Sequence, residues 1–135
     1  MRGGLEDVER LSDDAEVSIE AAANRVVALA DEPAAMLCLT WSHKPADRQA
    51  LRKGTDVPKR LRIRYAVTSH MNLYVPKFKS TAEDSVFCEA AQAASAVSAT
   101  TALPGIEDAG MFRVQAKRYG KEGLERAIAI ARPTA

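Results

Sequence analysis

The first third of the chain changes from a helical to an extended pattern of hydrophobic residues. Between residues 5 and 30, apolar side chains recur every three or four positions, which predicts two amphipathic helices. Ser18 lies just before the second helix and is a good N-cap, because its hydroxyl can accept an unpaired N–H of the first turn. Pro33 ends the helical pattern, and an unbroken apolar run follows from Ala34 to Trp41. Such a run predicts a strand that is buried on both faces.

Further along, the pattern alternates in the way that strands do. Residues 60–67 place apolar or aromatic side chains at 61, 63, 65 and 67 on one face and arginines on the other, which predicts a strand with one dry face. Ser80 and Glu83 have the capping-box spacing, so we expect a helix to start there and to run to about Ala94. The other expected elements are helical turns at 45–53, strands at 73–75, 97–103, 112–117 and around 128–130, and a turn at 120–123.

This order of helices and strands predicts an α+β fold. We expect an N-terminal helical pair in residues 1–32 that resembles a helix-turn-helix. Residues 33–135 then form an antiparallel sheet with one packed helix, and this part resembles the GAF- and PAS-like sensor domains. A length of 135 residues suits one compact domain with a small helical appendage.

Charge is distributed unevenly along a chain whose formal net charge is only +1. Residues 5–20 hold seven acids and one base, whereas residues 44–64 hold eight bases and two acids. Opposite segments of this kind form either complementary faces of one molecule or surfaces for two different partners. The sequence has neither an apolar run of membrane-spanning length nor a signal-like N-terminus. We therefore expect a cytoplasmic protein, without membrane contact, in which Cys38 and Cys88 are reduced.

Motifs for catalysis are absent from the sequence. Serine precedes histidine at 42–43 and at 69–70, but neighbours on a strand point to opposite faces, which disfavours a catalytic dyad. The two cysteines and two histidines lack the paired spacing of zinc ligands. There is no HExxH, P-loop or dinucleotide fingerprint. We therefore expect no catalytic residue, no metal site and no cofactor.

Two groups of residues are candidates for binding nucleic acid. In the helical pair, the candidate helix-turn-helix contacts are Ser18, Asn24 and Arg25, although phosphates would repel the acidic first helix. In the basic segment, the candidate anion or nucleic-acid surface consists of Arg48, Arg52, Lys53, Arg60, Arg62 and Arg64. The alternative is that these bases form a solvated sheet face or pair with the acidic helices.

The segment from Val17 to Trp41 resembles the C-terminal portion of the ImmA/IrrE family of bacterial metallopeptidases. The resemblance rests on Val17-Ser18 at a helix start, Arg25 within an apolar helix, the break at Pro33 and the apolar strand after it. It continues through residues 61–65, 73–76 and 84–85.

In that family, a zinc peptidase domain with an HExxH helix precedes a helix-turn-helix-like pair and a GAF-like module. The resemblance therefore implies a non-catalytic regulatory or sensor module, in a stress-response or repressor-control context, that binds a small ligand or a protein partner. Zinc would belong to this protein only if an upstream peptidase domain exists. The alternative function is a DNA-binding transcriptional regulator that uses the helical pair or the arginines at 60, 62 and 64.

Overall fold

The computed structural model describes residues 4–15, 18–120 and 125–134. Over these residues, two helices precede a five-stranded antiparallel sheet with further helices between its strands. The helices are α1 (Leu5–Ala15), α2 (Ile19–Ala28), α3 (Arg48–Arg52) and α4 (Val86–Gln92), and the strands are β1 (Ala34–Ser42), β2 (Arg60–Ser69), β3 (Val97–Ala102), β4 (Met111–Tyr119) and β5 (Arg126–Pro133). The predicted α+β class is confirmed. Val17 and most of the predicted turn at 120–123 lie outside the described residues.

The strand order is β2-β1-β5-β4-β3, with β1 between two neighbours. Every residue from Ala34 to Leu39 is buried, as the unbroken apolar run predicts. Alternate residues of β1 point to opposite faces. Leu37 and Leu39 enter a core shared with α4, whereas Met36 and Cys38 enter a core shared with α1 and α2. The described residues therefore form three layers, with the sheet between two sets of helices.

The helical pair, α1 and α2, packs directly on the sheet. Ser18 caps α2 as predicted, because its hydroxyl accepts the N–H of Ala21 at 3.1 Å. Ala22 and Ala23 are fully buried, and their small side chains let α2 approach the sheet closely. Ile128 and Ile130 of β5 fill the space beneath the two helices. The boundary predicted at Pro33 thus lies between elements that share one core.

A β-bulge changes the faces of β2. The pairing with β1 shifts between Cys38 and Leu39, which face Tyr65 and Ile63, so that Arg64 is the extra residue. An extra residue reverses the alternation beyond it. Leu61 and Ile63 therefore lie in the α4 core, but Tyr65 and Val67 lie in the core under the helical pair. The prediction that all four share one face is wrong.

The predicted strand at 73–75 and the predicted helix start at Ser80 are also wrong, because residues 78–81 pair with β2. The outer side of β2 is covered by residues 78–81: the N–H of Phe78 donates to the Ile63 carbonyl at 2.7 Å and that of Thr81 to the Leu61 carbonyl at 2.9 Å. This segment takes the edge position expected of residues 73–75, which form no strand. It also places Ser80 in a bridge opposite Arg62. Helix α4 therefore starts later, at a cap formed by Ser85, and it ends at Gln92.

Candidate functional site

Two acidic residues of the helical pair, Glu9 and Glu20, are bound by the sheet beneath them. The Glu9 carboxylate accepts from the Tyr119 hydroxyl at 2.7 Å and from Lys117 Nζ at 3.1 Å. The hydrogen bond from Tyr119 is the main cause of a lowered Glu9 pKa.

A second carboxylate, that of Glu20 on α2, is bound by side chains of β2 and β5. Glu20 accepts from the Tyr65 hydroxyl at 2.6 Å, and its other oxygen lies 2.6 Å from Arg126 Nε. Burial raises the pKa of the Tyr65 hydroxyl, and the hydrogen bond to Glu20 adds to that effect. Glu9 and Glu20 therefore do have partners within the molecule, but these partners lie on β2, β4 and β5 and are not the arginines at 60, 62 and 64.

The predicted helix-turn-helix contacts are placed unfavourably for reading DNA. The hydroxyl of Ser18 is engaged as a helix cap. Asn24 is half-buried, and its Oδ1 atom is fully shielded from solvent. Arg25 is exposed. Because α2 turns Asn24 towards the sheet, only Arg25 of the three is directed to solvent with its polar group available.

The six candidate basic residues do not form one surface, because Arg62 is buried. Its side chain is only 7% exposed, and it donates from Nε to the Ser42 carbonyl at 3.2 Å and from Nη1 to the Phe78 carbonyl at 2.9 Å. The prediction that Arg62 shares a wet face with its neighbours is therefore wrong. Arg64 lies at the bulge, away from Arg60. The exposed bases outside Arg62 are Arg48, Arg52, Lys53, Arg60 and Arg64.

A cleft of about 350 Å³ lies where the ends of β1 and β2 meet α4. We call it the first cleft. Its walls include Trp41, Lys59 and Arg60, together with the acidic Glu83. The indole of Trp41 is 43% exposed, although the strand that carries it is buried over most of its length. Cys88 lies at the cleft, and its Sγ is 3.2 Å from the Thr81 hydroxyl, which itself donates to the Leu61 carbonyl.

Two more clefts follow the first, of which the second shares a wall with the first and the third shares a wall with the second. The second, of about 360 Å³, includes Arg60, Arg62 and Lys44, so that Arg60 belongs to both the first and second clefts. The third, of about 250 Å³, includes Lys44, Arg48 and the exposed ring of Phe78. Lys44 thus joins the second cleft to the third. We call the three together the cleft row.

Local backbone contacts fix the shape of the cleft row. Phe78 has a φ of 66°, a conformation that bulky side chains rarely adopt. It is held there by its N–H bond to Ile63 and by the bond from Arg62 to its carbonyl. On the other side, Nε2 of His43 lies 2.6 Å from the Val57 carbonyl and must be the donor, because a carbonyl only accepts. This bond thereby ties residue 43, in the wall of the third cleft, to residue 57, in the wall of the second.

The histidines and cysteines considered as catalytic or metal-binding residues do not come together in one site among the described residues. His70 lies against a backbone carbonyl, that of Ala30 at 2.8 Å, just as His43 does with Val57. Burial raises the pKa of the Cys38 thiol to about 12, which keeps it protonated and unreactive at neutral pH. Within residues 4–15, 18–120 and 125–134, no three histidine, cysteine or acidic side chains are grouped as metal ligands would be. No helix in those ranges is long and apolar enough to cross a bilayer.

Among the residues that give the cleft row its positive charge and its exposed tryptophan and phenylalanine rings, sequence reasoning missed four: Trp41, Lys44, Lys59 and Phe78. Trp41 gave a signal, because it ends an apolar run and is followed directly by polar residues. Phe78 gave no signal, since its position depends on a pairing with β2 that no local sequence pattern predicts.

Comparison with known proteins assigns no family to this chain. No protein-family model matches the sequence, and no curated protein matches it either. The resemblance to the ImmA/IrrE family therefore stays a prediction from the sequence.

Proposed function

We propose that this protein is a non-catalytic regulatory module that binds an anionic ligand in the first cleft. The observation that carries the proposal is the first cleft itself, where Lys59 and Arg60 stand beside the half-exposed Trp41. The ion pairs of Glu9, Glu20 and Glu32 have other partners, and among the described residues no ion pair involves these two bases. Their charge is therefore available to a ligand.

The residues around the first cleft favour binding over chemistry. Lys59 and Arg60 supply positive charge, and Trp41 supplies a flat apolar surface on which a planar group can stack. The Cys88 thiol has its nearest polar contact in Thr81, whose own proton goes to the Leu61 carbonyl. The thiol is thus the hydrogen-bond donor in its contact with Thr81.

The location of the first cleft suits a regulatory role. Trp41 is near the end of β1, and the same strand contributes Met36 and Cys38 to the core under the helical pair. A ligand that moves the end of β1 therefore acts on a strand whose other half supports α1 and α2. This arrangement supports the expectation, taken from the ImmA/IrrE resemblance, of a sheet domain that binds a ligand and a helical pair that anchors it.

The test uses Trp41, which is the only tryptophan of the chain and therefore the only source of indole emission. We expect pyrophosphate, added at low salt, to change this emission in a saturable way. The double variant Lys59→Gln/Arg60→Gln should lose the response, whereas the matched variant Arg118→Gln, an exposed arginine on β4, should keep it. An unchanged emission up to millimolar pyrophosphate would overturn the proposal.

The alternative of a transcriptional regulator that reads duplex DNA has less support. Asn24 faces the sheet, and Glu20 beside it on α2 is held by Arg126. A recognition helix needs its polar side chains free to enter the major groove. For this reason we retain the cleft, and not the helical pair, as the candidate site.

A further inference from the structure

We propose that the cleft row as a whole binds single-stranded nucleic acid. This inference rests on the proposed function, because the first cleft is part of the row. It goes further in naming the ligand as a polymer of planar bases and phosphates, and in extending the site to the second and third clefts.

The first argument is continuity. Arg60 borders the first and second clefts, and Lys44 borders the second and third. The three volumes, of about 350, 360 and 250 Å³, therefore follow one another along the surface, and each neighbouring pair has one side chain as a common wall. A small molecule would need one such volume, whereas a chain molecule can occupy all three.

The second argument is charge. The walls of the row carry Lys44, Arg48, Lys59 and Arg60, against the acids Asp47 and Glu83. One of those acids is already engaged, since Asp47 accepts the backbone N–H of Lys44 at 3.1 Å. A row of unpaired bases attracts a polyanion, because phosphates displace counterions as they bind.

The third argument is the position of the aromatic rings. Trp41 is 43% exposed at the first cleft, and Phe78 is 44% exposed at the third, so the basic residues lie between two aromatic surfaces. Bases stack on such rings whatever their sequence. Phe78 is held in place by the buried Arg62, whose bond to the Phe78 carbonyl fixes a strained backbone.

The fourth argument distinguishes a single strand from a duplex. Leu61 borders the first cleft and Arg62 the second, and neighbours on a strand point to opposite faces. The row therefore passes around the end of β2 from one face of the sheet towards the other. A flexible single strand can follow that turn, but a duplex is too stiff to do so and keeps its bases stacked away from the rings.

The experiment measures the anisotropy of fluorescein-labelled dT12 mixed with the full chain. With Lys44, Lys59 and Arg60 each neutralising a phosphate, the binding constant should fall about twentyfold between 50 and 200 mM salt. We expect Trp41→Ala to weaken binding about tenfold through the loss of stacking. Lys44→Gln should weaken it and flatten the salt dependence, which tests the part of the row beyond the first cleft. Arg118→Gln is the matched control and should change nothing.

Circular dichroism of each variant shows whether it is folded. If Trp41→Ala does not fold, Lys44→Gln still tests the inference. The inference is overturned if dT12 fails to bind, or if duplex DNA or polyglutamate of equal charge displaces it as well as unlabelled dT12 does. It is also overturned if Lys44→Gln binds dT12 normally with an unchanged salt dependence. If pyrophosphate still changes the Trp41 emission in any of these cases, the proposed function stands and only its extension to nucleic acid fails.

Discussion

The acidic helical pair and the basic cleft row are both rich in charge, but they differ in how that charge is paired. Charged groups of the helical pair such as Glu9 and Glu20 are bound within the molecule, whereas most bases of the cleft row are exposed. Glu9 and Glu20 each meet a tyrosine hydroxyl and a basic side chain of the sheet. Among the described lysines and arginines of the cleft row, only Arg62 has its side chain bound within the molecule, and its partners are backbone carbonyls. Charge that is satisfied inside the molecule holds the helices to the sheet, whereas charge that is left exposed is available to a partner.

This comparison predicts that the two groups respond differently to mutation. Removal of a paired charge should lower the free energy of unfolding and leave ligand binding alone. Removal of an exposed charge should weaken ligand binding and leave the free energy of unfolding nearly unchanged. The variants that follow test this difference.

The largest effect is expected at Arg62, the one arginine of β2 that is structural. Arg62→Ala leaves the buried carbonyls of Ser42 and Phe78 without a charged donor, and we expect a loss of about 3 kcal/mol in the free energy of unfolding. Arg60→Ala, two residues away and exposed, should change it by less than about 0.5 kcal/mol. Urea denaturation measures both. Equal destabilisation by the two variants would contradict the distinction between them.

A smaller effect is expected at Glu20. Glu20→Gln keeps an acceptor for the Tyr65 hydroxyl but removes the negative charge beside Arg126, so we expect a loss of about 1 kcal/mol. Glu32→Gln is the control, because Glu32 is 78% exposed and lies 3.9 Å from Arg132. Such a pair contributes close to nothing. A thermal melt in which Glu32→Gln is the more damaging change would contradict this ranking.

The smallest effect is expected at Glu9, and it should depend on pH. The Tyr119 hydrogen bond lowers the pKa of Glu9 in the folded state. Glu9 therefore adds to the free energy of unfolding above the ordinary pKa of 4.5, and this contribution is lost as the pH falls through the lowered folded-state pKa. Because Glu9 is 39% exposed, solvent screening limits the contribution to roughly 0.5 kcal/mol. The difference in unfolding free energy between the native chain and Glu9→Gln should therefore shrink between about pH 6 and pH 3. The exposed Glu6→Gln should show no such change.

The parts of the fold that could be predicted are those that depend on nearby residues. Strand β1 was evident because a strand in the middle of a sheet must be apolar on both faces. The Ser18 cap was evident because its bond to Ala21 closes within one turn. At Ser80 the same reasoning failed, since that residue is held in a bridge to Arg62 and the helix begins at Ser85.

The candidate site was predicted only in part, because it is assembled across the sheet. Arg60 and Arg48 were recognised as candidate anion-binding residues from charge alone. Arg62 has the same local pattern as Arg60, and its burial depends on carbonyls that lie 16 and 20 positions away. The bulge at Arg64 is likewise set by the pairing of β2 with β1, and it moves Tyr65 to the face where Glu20 lies.

The segment at 78–81 also determines how the sheet can associate with other chains. By pairing along β2, it closes one of the two outer edges of the sheet. The other edge is β3, and its six residues from Val97 to Ala102 include no charge and no proline, the devices that usually keep an edge strand from pairing further. Any growth of this sheet by an added strand is therefore directed to β3, on the side of the sheet farthest from the cleft row.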